Sequence, residues 1–114
     1  MSENKLIDLS FEFAKRIVDI VDRIHVPKSS YMLEQLARAG TSVGANIYEA
    51  QYAHSKADFV AKLEIALKEA NETGYWLKLL FETNRIEESD YSDAEKICGN
   101  IRRLLIASCN TAKK

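Results

Sequence analysis

Residues that interrupt helices are scarce in this sequence. Its 114 residues include one proline and four glycines, and these two residue types are the strongest local breaks in a helical pattern. Between the breaks, apolar residues recur every three or four positions, which is the period of an α-helix. The pattern predicts helices at about residues 3–25, 30–52, 56–84 and 90–112. We therefore expect an all-α fold, a single bundle of four helices formed by residues 1–114.

The first predicted helix has an apolar face of double width. One stripe consists of Leu6, Phe13, Ile17, Ile20 and Ile24, and the stripe beside it of Ile7, Phe11, Ala14, Val18 and Val21. A helix on the outside of a bundle needs only one such stripe. Pro27 predicts the end of this helix near His25, because proline disfavours helical geometry in the residue before it. Ser29 or Ser30 can cap the next helix.

The second predicted helix has a face from which side chains are missing. Gly40 and Gly44 lie one turn apart, and each costs about 1 kcal/mol of helix propensity relative to alanine. We expect another helix to pack closely there and recover this cost. Asn46 lies at the edge of the same apolar stripe, where an unpaired buried amide costs about 1–3 kcal/mol. A hydrogen bond that fixes the helix register or the loop before Ser55 is favoured over a ligand contact.

The starts of the last two helices have polar cap signals. Ser55 precedes Asp58 by three residues and stands just before an apolar-periodic run. This spacing resembles a capping box, with Asp in place of the usual Glu, and predicts that the third helix begins near residue 56. Either Ser89-Asp90 or Ser92 is expected to cap the fourth helix.

The third predicted helix carries a second apolar face. Ile65, Trp76 and Leu79 fall together, roughly 130° around the helix from its core stripe. Together with the wide face of the first helix, they leave more apolar surface than one bundle covers, and monomers seldom expose large apolar patches. We expect these three residues to form an interface between copies of the chain. The alternative is that Trp76 merely covers a loop or a neighbouring helix.

The composition excludes several broad classes of protein. The 16 basic and 17 acidic residues nearly cancel, so no long-range field attracts nucleic acid or an anionic membrane. No apolar run reaches the ~18 residues that a membrane span needs, and the first residues do not resemble a signal peptide. Cys98 and Cys109 lie roughly 16 Å apart on one helix, too far to form a disulfide. The chain is expected to be cytoplasmic, with both thiols reduced.

No arrangement of residues in the sequence indicates an active site. His25 and His54 stand at predicted helix ends, and no cysteine or carboxylate lies at a metal-ligand spacing from them. Glu69 and Glu72 are three residues apart on one helix, but the Glu-x-x-His motif of di-iron bundles is absent. The sequence has no glycine-rich phosphate loop either. We expect a protein that is not an enzyme and holds no metal or cofactor.

The fourth predicted helix is acidic at its start and basic towards its end. The basic residues of its second half and of the chain end are Lys96, Arg102, Arg103, Lys113 and Lys114. Acid at the start and base at the end suit the helix dipole, and this explanation is favoured. Repeated in an oligomer, the same residues would form a basic rim able to contact RNA phosphates. Nucleic acid is therefore a less favoured partner than protein.

Two short runs in this chain resemble a known family. The runs are TSVGANIYEA at 41–50 and SKADF at 55–59, and the most specific positions are Ser42, Asn46, Ile47, Glu49, Ser55, Lys56 and Phe59. They resemble the bacterial four-helix-bundle family named for proteins encoded in intervening sequences of 23S ribosomal RNA genes. Ala50 departs from the usual glycine, and Gly44 stands where proline or alanine is common. The resemblance extends over nearly the whole chain.

The resemblance implies a left-handed, up-down-up-down four-helix bundle that assembles into a ring-like homopentamer without known catalytic activity. Most members of the family have no established function, and we expect this chain to be a scaffold or adaptor whose partner the sequence does not name. The alternative is an RNA-binding accessory protein, similar to those that assist the reverse transcriptases of diversity-generating retroelements. Those accessory proteins are markedly basic, and this chain is not.

Overall fold

The computed structural model describes residues 2–24 and 30–114, with side chains for 5–24 and 30–114. The helices in this part of the chain are α1 (Ser2–Arg23), α2 (Ser30–Ala50), α3 (Lys56–Glu82) and α4 (Glu88–Lys113). The expected all-α four-helix bundle is confirmed. The predicted helix end at His25, the turn at Pro27 and the cap at Ser29 lie outside the described residues.

Each helix packs against two others. The contacting pairs are α1 with α2, α2 with α3, α3 with α4, and α1 with α4, whereas α1 and α3 do not touch within the described residues. The four helices therefore surround one core. The buried apolar residues include Leu6, Phe13, Ile17 and Ile20 of α1, Leu36, Val43 and Ile47 of α2, Leu63, Leu77 and Leu80 of α3, and Ile101 and Leu105 of α4. Each such side chain contributes about 1.5–3 kcal/mol when fully buried.

The end of α3 is set by a left-handed residue. Asn84 has a φ of 61°, a conformation that asparagine tolerates better than most residues. The Arg85 amide then donates to the Leu80 carbonyl at 2.8 Å, and the Asn84 amide donates to the Phe81 carbonyl at 3.0 Å. These bonds satisfy carbonyls of the last turn and turn the chain towards α4.

The start of α4 differs from the prediction. The helix begins at Glu88, and its N-cap residue, Glu87, makes no side-chain cap bond. The predicted caps at Ser89-Asp90 and Ser92 are therefore wrong. The Asp90 carboxylate instead accepts hydrogen bonds from Arg23 of α1, at 3.0 and 3.2 Å. The Asp90 carboxylate therefore forms an ion pair between helices and does not cap α4.

Candidate functional site

The two glycines of α2 differ in how closely α1 approaches them. A Cβ added at Gly40 would lie 2.9 Å from both Cγ atoms of Ile17, whereas one added at Gly44 would lie 3.4 Å from the Ser10 carbonyl oxygen. The first distance is a clash with a buried side chain, and the second is about van der Waals contact. α1 thus packs closely at both glycines, through its backbone at Gly44 and through the Ile17 side chain at Gly40, and only at Gly40 would an added methyl group clash.

Beyond Gly44, the surface between α1 and α2 forms an apolar groove of about 610 Å³. It is lined by Ile7, Asp8, Ser10, Phe11, Glu12 and Ala14 of α1 and by Thr41, Gly44, Ala45 and Tyr48 of α2. The small residues form its floor, because they leave space where larger side chains would fill it. At its edges, Phe11 is 64% exposed and Tyr48 is 58% exposed. We call this surface the α1–α2 groove.

The polar groups in the α1–α2 groove are satisfied by their own helices. The Ser10 hydroxyl donates to the Ile7 carbonyl at 3.0 Å, and the Thr41 hydroxyl donates to the Ala37 carbonyl at 2.7 Å. Both hydroxyls thus present little unsatisfied hydrogen-bonding capacity to a partner. The charged residues that line the groove, Asp8 and Glu12, are both acidic.

The hydrogen-bond partner predicted for Asn46 is wrong. Asn46 is half-buried, and its side-chain amide donates to the Ser42 carbonyl at 2.9 Å. This bond lies within α2, one turn back, so it fixes neither the register between helices nor the loop before Ser55. A side chain that bonds its own helix in this way adds little to tertiary structure.

Ser55 caps α3 and Asp58 reaches back towards the preceding turn. The Ser55 hydroxyl accepts a hydrogen bond from the Asp58 amide at 3.0 Å. The Asp58 carboxylate accepts from the His54 amide at 3.2 Å, one residue earlier than in the usual capping box. Nearby, Lys62 and Glu49 form an ion pair at 3.2 Å that joins α3 to α2. This corner is held by polar contacts.

The second apolar face of α3 is partly covered within one chain. Ile65 is 42% exposed, whereas Trp76 and Leu79 are half-buried and pack against the core. The Trp76 indole donates to the Glu72 carboxylate at 3.0 Å, and Glu72 also accepts from Arg38 of α2. These two donors lower the pKa of Glu72. The contacts favour the alternative interpretation for Trp76, and the interface role of the three residues stays a prediction.

The basic residues of α4 do not form one patch. Arg102 pairs with Glu95 at 3.4 Å, and Lys113 pairs with Glu64 of α3 at 2.9 Å. Lys96, Arg103 and Lys114 are exposed and, within the described residues, form no ion pair with a carboxylate. These three fall on one side of the helix, at spacings of seven and eleven residues. Only part of the predicted set thus shares an open surface.

The groups capable of chemistry are engaged in structure. Cys98 and Cys109 are free and buried, and burial raises the pKa of the Cys98 thiol to about 11. The Ser42 hydroxyl donates to the Arg38 carbonyl at 2.6 Å. Within residues 5–24 and 30–114, no three histidine, cysteine or acidic side chains cluster as metal ligands would. None of the described helices is long and apolar enough to cross a membrane, and His25 lies outside the described residues.

Comparisons with known proteins agree with this architecture. The family model described as 23S rRNA-intervening sequence protein matches residues 2–107. A crystal structure of a protein of unknown function from the S23 ribosomal protein family of Bacteroides thetaiotaomicron is 44% identical, with a TM-score of 0.88. That match covers 96% of this chain and 99% of the other. No curated protein matches the sequence. The chain belongs to the 23S rRNA-intervening sequence protein family.

Proposed function

We propose that this protein is a non-enzymatic scaffold or adaptor that works as a homo-oligomer, with five copies in the ring. One observation carries the proposal: the bundle is closed around its core, yet large apolar side chains remain exposed on separate helices. Phe11 and Val18 of α1 and Ile65 and Tyr75 of α3 are each at least 42% exposed. Clustered exposure of this kind marks surfaces that bind other proteins.

These exposed residues are not needed to complete the core. Every helix already contacts two neighbours, and Leu6, Phe13 and Ile17 of α1 are buried without help from Phe11. An aromatic side chain such as Phe11 would gain about 1.5–3 kcal/mol from full burial against a partner. Association with a partner would therefore bury apolar surface that stays exposed when one chain folds alone.

The non-enzymatic part of the proposal is supported by the state of the candidate nucleophiles. A thiol with a pKa of about 11 is protonated at neutral pH, and the thiolate is the reactive form. Cys98 also donates to the Ala70 carbonyl at 3.3 Å in the core. Ser10 and Ser42 bond carbonyls of their own helices. Reduced, buried thiols suit the cytoplasm, which is the compartment we propose.

Absolute mass in solution tests the proposal. We expect light scattering across a gel-filtration peak to give five times the chain mass of 12.9 kDa at physiological salt. A tenfold increase in concentration should not raise the mass above this value if the ring is closed, because a closed ring has no free interface for further copies. A mass equal to one chain at every concentration would overturn the assembly. A stable mass of another multiple would overturn the pentamer alone.

A second candidate function is RNA binding through α4. The observation that favours it is the open basic face of Lys96, Arg103 and Lys114, which would be repeated around an oligomer. Phosphate contacts of this type weaken steeply as salt rises. We expect a Lys96→Glu, Arg103→Glu variant to lose affinity for a structured RNA in fluorescence polarisation. A Lys5→Glu, Lys78→Glu variant, with the same charge change elsewhere, is the control, and equal loss in both would exclude a specific α4 site.

A further inference from the structure

Two helices carry outward-facing seams of the kind that pack against another helix. On α1, the seam consists of Ile7, Phe11, Ala14, Val18 and Val21, and it borders the α1–α2 groove. On α3, the seam consists of Ala61, Ile65, Lys68, Glu72, Tyr75 and Leu79, and we call it the α3 ridge. Both follow alternating spacings of four and three residues, the pattern of a helix-packing stripe. Neither seam is the core stripe of its helix.

One chain cannot use one seam to cover the other. Within the described residues α1 and α3 do not touch, because each lies between α2 and α4. The seams therefore occupy different sides of the bundle. Covering both requires a second molecule, and a second copy of the chain carries both surfaces.

The two surfaces are complementary in shape. The α1–α2 groove is concave, because Ala14, Gly44 and Ala45 leave its floor low between Phe11 and Tyr48. The α3 ridge is convex, with Ile65 at 42% and Tyr75 at 60% exposure. A row of projecting side chains on one helix fits the furrow beside another, which is how helices pack in general.

The two surfaces are also complementary in charge. Asp8 and Glu12 line the groove. Glu12 already pairs with Lys15 of its own helix, whereas Asp8 forms no ion pair within the described residues. Lys68 is exposed on the ridge and pairs with no carboxylate within the described residues. The other charge of the ridge, Glu72, is already bound by Arg38 and Trp76. The unpaired Asp8 of the groove facing Lys68 of the ridge favours this pairing over groove against groove.

We propose that the α3 ridge of one copy docks into the α1–α2 groove of the next. This rests on the proposed function, namely that the chain assembles with itself. Because the two surfaces differ, the contact is head-to-tail. Each copy inserts its α3 ridge into the groove of one neighbour and binds the α3 ridge of the other neighbour in its own α1–α2 groove. A head-to-tail contact forms a ring when its rotation closes.

The test uses two variants that each lose one surface. Phe11→Glu places a charge in the groove, and Ile65→Glu places one on the ridge. We expect each variant alone to be monomeric by light scattering, because every contact needs an intact groove and an intact ridge. Mixed at equal amounts, they should form a dimer and nothing larger, since the Ile65→Glu chain offers a groove to the Phe11→Glu chain's ridge. Circular dichroism should show unchanged helicity.

An Ile106→Glu variant is the matched control. Ile106 is 48% exposed on α4 and belongs to neither surface, so this variant should assemble like the parent chain. If the parent assembles but both variants do so as well, the docking proposal fails and self-assembly stands. The same holds if both are monomeric and do not combine on mixing. A monomeric parent chain would remove the proposed function itself.

Discussion

The two sides of α2 are held in contrasting ways. Towards α3, ion pairs border the contact: Arg38 reaches Glu69 and Glu72, and Glu49 meets Lys62. Towards α1, no hydrogen bond or ion pair between described side chains joins the two helices, and the contact depends on apolar packing at Gly40. The α3 side therefore has a polar border, whereas the α1 side opens into an apolar groove.

This difference teaches where a bundle keeps surface for a partner. On the α3 side, Glu72 accepts a hydrogen bond from the Trp76 indole. This bond holds against the bundle a side chain that the sequence pattern predicts at an interface between copies. On the α1 side, no hydrogen bond or ion pair between described side chains bridges the helices beyond Gly44, and Phe11 stays exposed. Ion pairs line the contact between α2 and α3 and leave little apolar surface open there. Without such pairs, the contact between α1 and α2 leaves apolar surface exposed for association.

Gly40→Ala is the sharpest way to break the α1 side. The added methyl would meet Ile17 at 2.9 Å, and overpacking of this kind costs about 1–3 kcal/mol. Alanine returns about 1 kcal/mol of helix propensity, so we expect a net loss of stability of up to about 2 kcal/mol. Urea unfolding at one fixed protein concentration measures it. A variant more stable than the parent would mean that Ile17 moves aside at little cost.

Gly44→Ala, one turn along, should act in the opposite direction. Its methyl would stand 3.4 Å from Ser10, which a well-packed contact tolerates, and the helix gains propensity. We expect stabilisation of about 0.5–1 kcal/mol in the same urea experiment. The two alanine variants are each other's control. Equal destabilisation of both would contradict the difference in space for a methyl group at the two positions.

Arg38→Met should weaken the α3 side by a smaller amount. Methionine keeps an apolar stem of similar length and removes the charge that binds Glu69 and Glu72. Partly exposed ion pairs contribute about 0.2–1 kcal/mol, and this is the loss that we expect in thermal or urea unfolding. Lys15→Met, which removes the local pair with Glu12 on α1, is the control and should change stability less.

The smallest expected effect is a pH dependence at Glu72. Trp76 and Arg38 hold the pKa of Glu72 below its ordinary value of 4.5. The folded state then binds the proton less readily than the unfolded chain, so this group stabilises the fold above pH 4.5 and loses that contribution as pH falls through the lowered pKa. We expect the stability difference between the parent chain and Glu72→Gln to shrink on acidification. A constant difference from pH 7 to 3 would contradict the lowered pKa.

Much of the local structure follows from residue patterns. The apolar spacing in α1 identified the residues that are buried, such as Phe13 and Ile17, and the Ser55 to Asp58 spacing located the start of α3. These features are set by neighbours within one or two turns. The cap of α4 could not be read in this way, because Asp90 bonds Arg23 of a distant helix instead.

The sequence pattern alone could identify only the α1 half of the α1–α2 groove. The second stripe of α1, with Phe11 and Val18, is visible as a pattern, but its groove partners Ala45 and Tyr48 on α2 are not. The signal that could have found them is the run of small residues beside Gly44, read together with that stripe. Which neighbouring helix packs against a small residue of α2 depends on the rotation of α2 about its own axis. No local sequence pattern encodes that rotation.

By itself, the sequence determined the helices, their apolar stripes, the cap at Ser55 and the resemblance to a family. It could do so because helix formation depends on residues three and four positions apart. Only the tertiary structure decided that an added methyl group would clash at Gly40 and not at Gly44, that Asn46 bonds its own helix, and that the bases of α4 divide into paired and open sets. Those outcomes depend on distances between helices, which all the packed side chains determine together.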